Sequence, residues 1–286
     1  MMAFLLRTLG LLPLPVLYAL GSLITFVAYR LMRWHVPLAR DNIARSLPER
    51  SADERRRILA RSYRNLGETL VEGIWGWRAN GDALRRRVTI DDRALIDRYI
   101  VERKSVVMLA AHVCNWEWLM LASCAELGVP ICPVYKPLRL SDVDAYVRDA
   151  RARFGGRPIA VDDLLFELMR SGDEPRAYAM LADQTPPKDG PKHWRRFLHQ
   201  DTAFYAGLGK IARYLDAPVL YVAMRRVRRG VYTAHFTVLS EPPYHDDPEE
   251  GIVDRYAACL EAEIRHAPEN WLWVHRKWKY PKPPEA

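Results

Sequence analysis

Residues 105–111, from Ser105 to Ala111, form a nearly continuous apolar run. That is the pattern of a strand buried on both faces, which a parallel sheet covered by helices on either side provides. From residue 116 to 126 the pattern turns helical. The same alternation repeats from Val88 onward. Strands are predicted over 88–90, 105–111, 130–135, 158–161, 177–182, 218–224 and 232–239. Helices are predicted over 92–103, 116–126, 140–153, 164–171, 202–215 and 249–266. Alternation of this kind argues for an α/β fold with a mostly parallel central sheet flanked by helices. The last two strands, joined at Arg228-Arg229-Gly230, read as an antiparallel hairpin on one edge of that sheet. Ahead of them all, Ser51-Ala52-Asp53-Glu54 matches a capping box, and Leu59, Tyr63, Leu66, Leu70 and Ile74 follow at helical spacing as one apolar, core-packing face.

The N-terminus is of another kind. Residues 8–29 hold no charged side chain, and as one helix they would extend about 33 Å, enough to cross a hydrocarbon core. Pro13 and Pro15 would kink or shorten such a helix. Arg7 precedes the run, while Arg30, Arg33 and Trp34 follow it. A cleaved signal peptide would need a small-residue site that no clear stretch supplies at the end of the run. A buried core helix and a segment lying in the membrane interface both remain open. The favoured reading is an uncleaved membrane-anchor helix with basic flanks kept on the cytoplasmic side. Nine tryptophans and fourteen tyrosines suit a membrane interface as well. A net charge of +8 implies an anionic partner: nucleic acid, lipid headgroups or an acidic carrier protein. The basic residues are scattered over several elements and form no nucleic-acid motif, so no nucleic-acid partner is expected, although a non-enzymatic, membrane-tethered basic binding protein stays open. Four cysteines without paired spacing favour a reduced setting, and no metal site is expected.

Chemistry concentrates at the end of the first buried strand. His112 follows it, where open α/β sheets place their ligands, and Glu117 falls five residues later on the first turn of a helix. From there a carboxylate is expected to reach back and hold one imidazole nitrogen, leaving the other to take a proton near neutral pH. Cys114 offers a rival, a thiol nucleophile beside His112.

Four blocks in order then resemble one family. His112-Val113-Cys114-Asn115-Trp116-Glu117 resembles the His-x-Gly-Asn-Trp-Glu block of bacterial lipid A late acyltransferases, members of the glycerolipid acyltransferase superfamily with its H-x4-D/E motif. Val134-Tyr135-Lys136-Pro137-Leu138, followed by a helix ending in Arg151 and Arg153, looks like their second block. Leu181-Ala182-Asp183-Gln184 looks like their strand-ending Asp-Gln, and the stretch 267–279 is similar to their C-terminal A-P-E-x-x-x-W-x-H-R-R-[FW]-K signature. Residues 42–48 also look like the family's segment after the anchor.

The resemblance implies a membrane anchor over 1–34 and an acyltransferase domain over 35–286. It implies transfer of a fatty acyl chain from acyl carrier protein to a membrane glycolipid of the lipid A type, at the cytoplasmic face of the bacterial inner membrane and without a cofactor. His112 and Glu117 would be catalytic, as base and orienting acid. Asn115, Arg151, Arg153 and Asp183 would bind substrate. The arginines also suit a helix C-terminus, and Asp183 also suits a turn cap. Residues 275–279 read as an anion-facing or structural patch, with Trp273 and Trp278 either meeting the membrane or packing in the core. Two departures bear on the acceptor. Cys114 replaces the family's glycine, and the loop 185–196 is unusually basic and aromatic. Ornithine lipid, phosphoinositol mannoside and lysophospholipid are therefore alternative acceptors.

Overall fold

The computed structural model describes residues 1–284 apart from Ser171, Asp173 and Asp246, together with the backbone but not the side chain of Glu249. In chain order the first elements are α1 (Met2–Leu9), α2 (Leu14–Phe26), α3 (Val36–Ser46), α4 (Ala52–Gly76), α5 (Gly81–Arg85), β1 (Val88–Ile90) and α6 (Arg93–Val101). Next come β2 (Val106–Ala110), α7 (Trp116–Glu126), β3 (Ile131–Tyr135), α8 (Ser141–Ala152), β4 (Ile159–Ala160), α9 (Leu164–Arg170) and β5 (Ala177–Leu181). The chain closes with β6 (Lys192–Phe197), β7 (Gln200–Tyr205), α10 (Leu208–Tyr214), β8 (Val219–Arg228), β9 (Val231–Ser240) and α11 (Glu249–His266).

Seven strands make the central sheet in the order β1-β9-β8-β2-β5-β3-β4. Every neighbouring pair is parallel except β8 and β9. The predicted α/β architecture is therefore the observed one. All five residues of β2 are buried, as a strand between two neighbours and two helical layers must be. The hairpin β8–β9 is not at the edge, however. β1 pairs with β9 in parallel, Val88 opposite Tyr232, and the short β1 is the edge strand.

Residues 202–205, expected to begin a helix, instead belong to β7, which pairs with β6 as a separate antiparallel ribbon. Phe197 and Gln200 close that ribbon around Leu198 and His199, both in the left-handed region at φ 47° and 64°. Two-residue hairpins want positive φ at both positions, which Asn-Gly signals and Leu-His does not. The predicted end of the 164–171 helix at Ser171 lies outside the described residues.

The uncharged N-terminal run is not one helix. It breaks at Gly10–Pro13 because Pro13 has no N–H to donate to a preceding turn, and α2 starts just after it. Extended by a single π turn over Val27–Leu31, α2 gives 18 residues long and apolar enough to cross a membrane by length and composition. One face of α2 nevertheless packs on the protein through Leu14, Leu17, Tyr18 and Gly21. At Gly67 of α4 an added Cβ would collide with Oγ1 of Thr25, so glycine lets the two helices approach closely. Leu23, Ile24 and Phe26 stay exposed on the other side. The helix α4 opens with the predicted capping box: Ser51 Oγ accepts from the Glu54 amide at 3.2 Å, and Glu54 accepts from the Ser51 amide at 2.7 Å.

Candidate active site

In the parallel pairing of β2 and β5, Ala110 lies opposite Leu181. Two residues beyond on each chain, past the carboxyl ends of both strands, stand His112 and Asp183. Their side chains meet: Nδ1 of His112 lies 2.8 Å from Oδ1 of Asp183. The Trp271 indole donates to the other carboxylate oxygen at 2.9 Å. Burial of Asp183 works to raise its pKa, but His112, the Trp271 bond and the Lys277 charge outweigh it and hold the carboxyl down to about 2. The ionised carboxylate only accepts, so Nδ1 is the donor of this bond, and in the neutral imidazole Nε2 is the nitrogen that presents a lone pair. Nε2 receives the Gln184 side-chain amide at 3.3 Å. His112 keeps partial exposure and, with Trp116, Asn65, Thr69, Asn270 and Leu272, lines an open cleft.

Glu117 has different partners. Its carboxylate accepts two bonds from Arg151, at 2.9 and 2.7 Å, and a third from the Trp77 indole at 2.9 Å. The expected Glu117–imidazole pairing is thus replaced by Asp183–imidazole, and Glu117 instead ties α7 to α8 and α4. Arg151, expected at the substrate, is half of that buried ion pair. Arg153 donates to the carbonyls of Trp77 and Ala79 at 2.7 and 2.8 Å, closing the C-terminus of α4. Asn115 is wholly buried with both ends of its amide engaged. Its oxygen caps α7 by accepting from the Trp118 amide at 2.9 Å, and its nitrogen donates to Glu72 at 2.8 Å. It holds the start of α7 and does not itself line the cleft. Glu72 also accepts from the hydroxyls of Tyr18 and Tyr232, so α2 is joined to the cap of α7 through one carboxylate.

Cys114 adopts the left-handed conformation at φ 53°, which explains why glycine suits this position and shows that the backbone is not extended there. Its thiol is buried, and desolvation pushes its pKa well up, against a nucleophilic role.

The C-terminal segment forms the floor. Val113 bridges to Trp271, and the Cys114 amide donates to the Asn270 carbonyl at 2.9 Å. Trp273 is buried, its indole bonded to the Pro268 carbonyl, and the Trp278 indole donates to Thr202. Core packing, not a membrane surface, is the role of these two rings. Lys277 is buried too; its ammonium donates to the carbonyls of Gln184 and Ala203, and desolvation pushes it down to about 7. Burial likewise pushes His275 down to about 4, leaving it neutral to accept from the Thr185 amide at 3.2 Å. Trp271, Lys277 and Gln184 were not singled out from sequence as parts of the site. The signals in the sequence are the Asp-Gln pair ending a strand and the C-terminal block 267–279, and neither reveals which segments lie alongside His112.

A parallel sheet that delivers a histidine and its carboxylate side by side at its carboxyl edge has the architecture of an α/β enzyme with an imidazole base. The chain belongs to the bacterial lipid A biosynthesis acyltransferase family, whose profile matches residues 1–280, and it is an acyltransferase. The lipid A biosynthesis palmitoleoyltransferase of Escherichia coli (strain K12) is 25% identical over 271 residues, spanning 94% of this chain and 86% of that protein. The lipid A biosynthesis lauroyltransferase of the same organism is 23% identical over 279 residues, spanning 94% and 87%. The lipid A biosynthesis acyltransferase of Shigella flexneri is 25% identical over 271 residues, spanning 94% and 86%.

Proposed function

We propose that this enzyme moves a fatty acyl chain from an acyl carrier protein thioester to a hydroxyl of a lipid A-type glycolipid, at the cytoplasmic face of the inner membrane. The observation that carries the reading is the His112–Asp183 pair, with His112 itself lining the cleft. An alcohol is a poor nucleophile near neutral pH, so its proton must leave as it attacks. In this reading Nε2 of His112 takes that proton while the oxygen bonds to the thioester carbon. The carbon–sulfur bond then breaks, and the imidazolium returns the proton to the departing thiolate. Asp183 fixes the tautomer and stabilises the imidazolium, the part an aspartate plays in a Ser-His-Asp triad. Gln184 withdraws to admit the hydroxyl. Glu117 and Arg151 act as positioning residues by holding the first turn of α7 against α8.

The family and the names of the relatives support lipid A as acceptor class, the net charge of +8 suits an acidic carrier, and the apolar face of α2 suits a bilayer. The test supplies the detergent-purified full chain with acyl carrier protein thioester and a lipid A precursor, and weighs the acceptor by mass spectrometry. One added acyl group is expected. Transfer from coenzyme A but not from the carrier would replace the donor, and an unchanged glycolipid beside an acylated ornithine lipid or lysophospholipid would replace the acceptor.

A further inference from the structure

When an alcohol attacks a thioester, negative charge gathers on the carbonyl oxygen, and a donor already in place there lowers the barrier. Few side chains of the His112 cleft have one to offer. Ser62 and Thr69 donate to the carbonyls of Leu59 and Cys114, at 2.9 and 3.3 Å. The hydroxyl of Tyr232 is spent on Glu72, and the Trp271 indole on Asp183. Asn65 gives both its donors away, to the Glu269 carbonyl at 3.2 Å and to Oδ1 of Asn270 at 2.8 Å. Arg226 donates to Oδ1 of Asn65 at 2.6 Å and pairs with Glu68. Two neutral N–H groups of the lining are left without a partner among the described residues, the Trp116 indole and the Asn270 amide. Neither nitrogen is sealed from solvent.

Of the two, the amide is held in one orientation by a chain of bonds. Arg226 occupies the oxygen of Asn65, Asn65 occupies the oxygen of Asn270, and a flipped Asn270 would set one NH2 against another. Hydrogen bonds in such a row polarise one another, so a guanidinium at one end strengthens the free N–H at the other. The main chain brings that N–H beside the base. Val113 bridges Trp271 in the antiparallel sense, which sets His112 opposite Leu272 and Asn270 opposite Cys114. His112 and Asn270 are therefore diagonal neighbours, a relation that spaces main chains about 7–8 Å apart and lets two side chains meet one small group between them. Glu269, the one acid in the lining, is paired with Arg61 at 3.7 Å. We infer that Asn270 is a catalytic residue, the side chain whose Nδ2 donates to the thioester oxygen as charge develops there. While the alcohol oxygen bonds to the carbon, the carbonyl π pair moves onto that oxygen and the Asn270 bond tightens. When the carbon–sulfur bond breaks, the pair returns and the carbonyl re-forms. Asn270 has this role only if the acyl-transfer reading above holds, whatever the carrier and the acceptor.

The test measures acyl transfer by the detergent-purified full chain together with its binding of two pantetheine analogues of the acyl donor. One is a trifluoromethyl ketone, whose hydrate is tetrahedral and carries an oxygen where the oxyanion would be. The other is a thioether with no carbonyl. Asn270→Ala is expected to lower kcat by about 10²–10³-fold with little change in KM, as loss of a contact made only in the transition state does. It should weaken the ketone by a similar factor and leave the thioether alone, a split that a distorted cleft would not give. Asn270→Asp keeps the shape and the acceptor for Asn65 but replaces the donor, so it should be at least as slow. Turnover within about twofold of wild type in either variant overturns the assignment. Equal weakening of ketone and thioether also overturns it, since the role would then be structural. Loss of ketone affinity in Trp116→Phe with none in Asn270→Ala passes the role to the indole and overturns it as well. A wild-type chain that transfers no acyl group from any thioester overturns the acyl-transfer reading, and this assignment with it.

Discussion

Asp183 and Glu117 are both buried carboxylates bonded to a nitrogen-rich partner, yet the two arrangements do different work. Asp183 sits at a strand end beside another strand end, and its partner His112 opens onto a cleft. Glu117 sits on a helix, gripped by both arms of Arg151 and by Trp77, so its charge is fully spent inside the protein. The first pair leaves one nitrogen available for a proton; the second leaves nothing available. Adjacency in sequence favours Glu117 as partner of His112, only five residues away. Strand register favours an aspartate 71 residues away, and register prevails because paired parallel strands end side by side and bring both side chains to the same edge of the sheet.

The imidazole is where this contrast meets its severest trial. His112→Ala is expected to lower the acyl-transfer rate by about 10²–10⁴-fold, the usual worth of a positioned base. Asp183→Asn should come close to that loss, since an amide carries no charge to stabilise an imidazolium and its NH2 can donate to Nδ1 and hold the wrong tautomer. If Asp183→Asn keeps wild-type turnover, the imidazole has another partner. The same variant reports through stability. The folded pKa of Asp183 is depressed from 3.8 to about 2. Its stabilising contribution, about 2 kcal/mol, is therefore complete above the unfolded value and lost as pH falls through the folded one. Chemical denaturation of wild type and Asp183→Asn should converge over that interval and diverge above it.

Glu117→Gln probes the other side. It leaves the Arg151 guanidinium largely buried without a counter-charge, and a destabilisation of about 3–5 kcal/mol is the scale for breaking such a pair. Turnover should fall less than in Asp183→Asn, and the pH dependence of kcat/KM should keep its shape. A displaced acidic limb in Glu117→Gln would show that the glutamate acts on the imidazole after all. The weakest response belongs to Cys114→Ala, which removes a buried thiol and keeps the left-handed turn. Activity within about twofold of wild type is expected, against the loss of several orders of magnitude that removal of a nucleophile brings.

Much of this architecture is legible in the residues alone. The parallel sheet follows from apolar runs such as Val106–Ala110, and the capping box at Ser51 and the span Trp116–Glu126 stand where local chemistry places them. The ribbon β6–β7 is not legible, because its turn uses Leu198 and His199 where hairpins advertise themselves with glycine. Nor is the depth of Lys277, Trp273 and Trp278. Their residue types suit an exposed interface equally well, and only packing against Phe204, Pro268 and Thr202 decides between the two.

The order of residues was enough to set the local elements, to put His112 at the carboxyl end of an inner strand, and to mark the family to which the ordered blocks belong. These follow from patterns a few residues long, in which hydrophobic period and capping chemistry act on neighbours. It took the folded chain to establish that Asp183 holds the imidazole and that Glu117 and Arg151 neutralise one another. Each depends on which strands or helices lie side by side, and that adjacency is set by burial of the whole core.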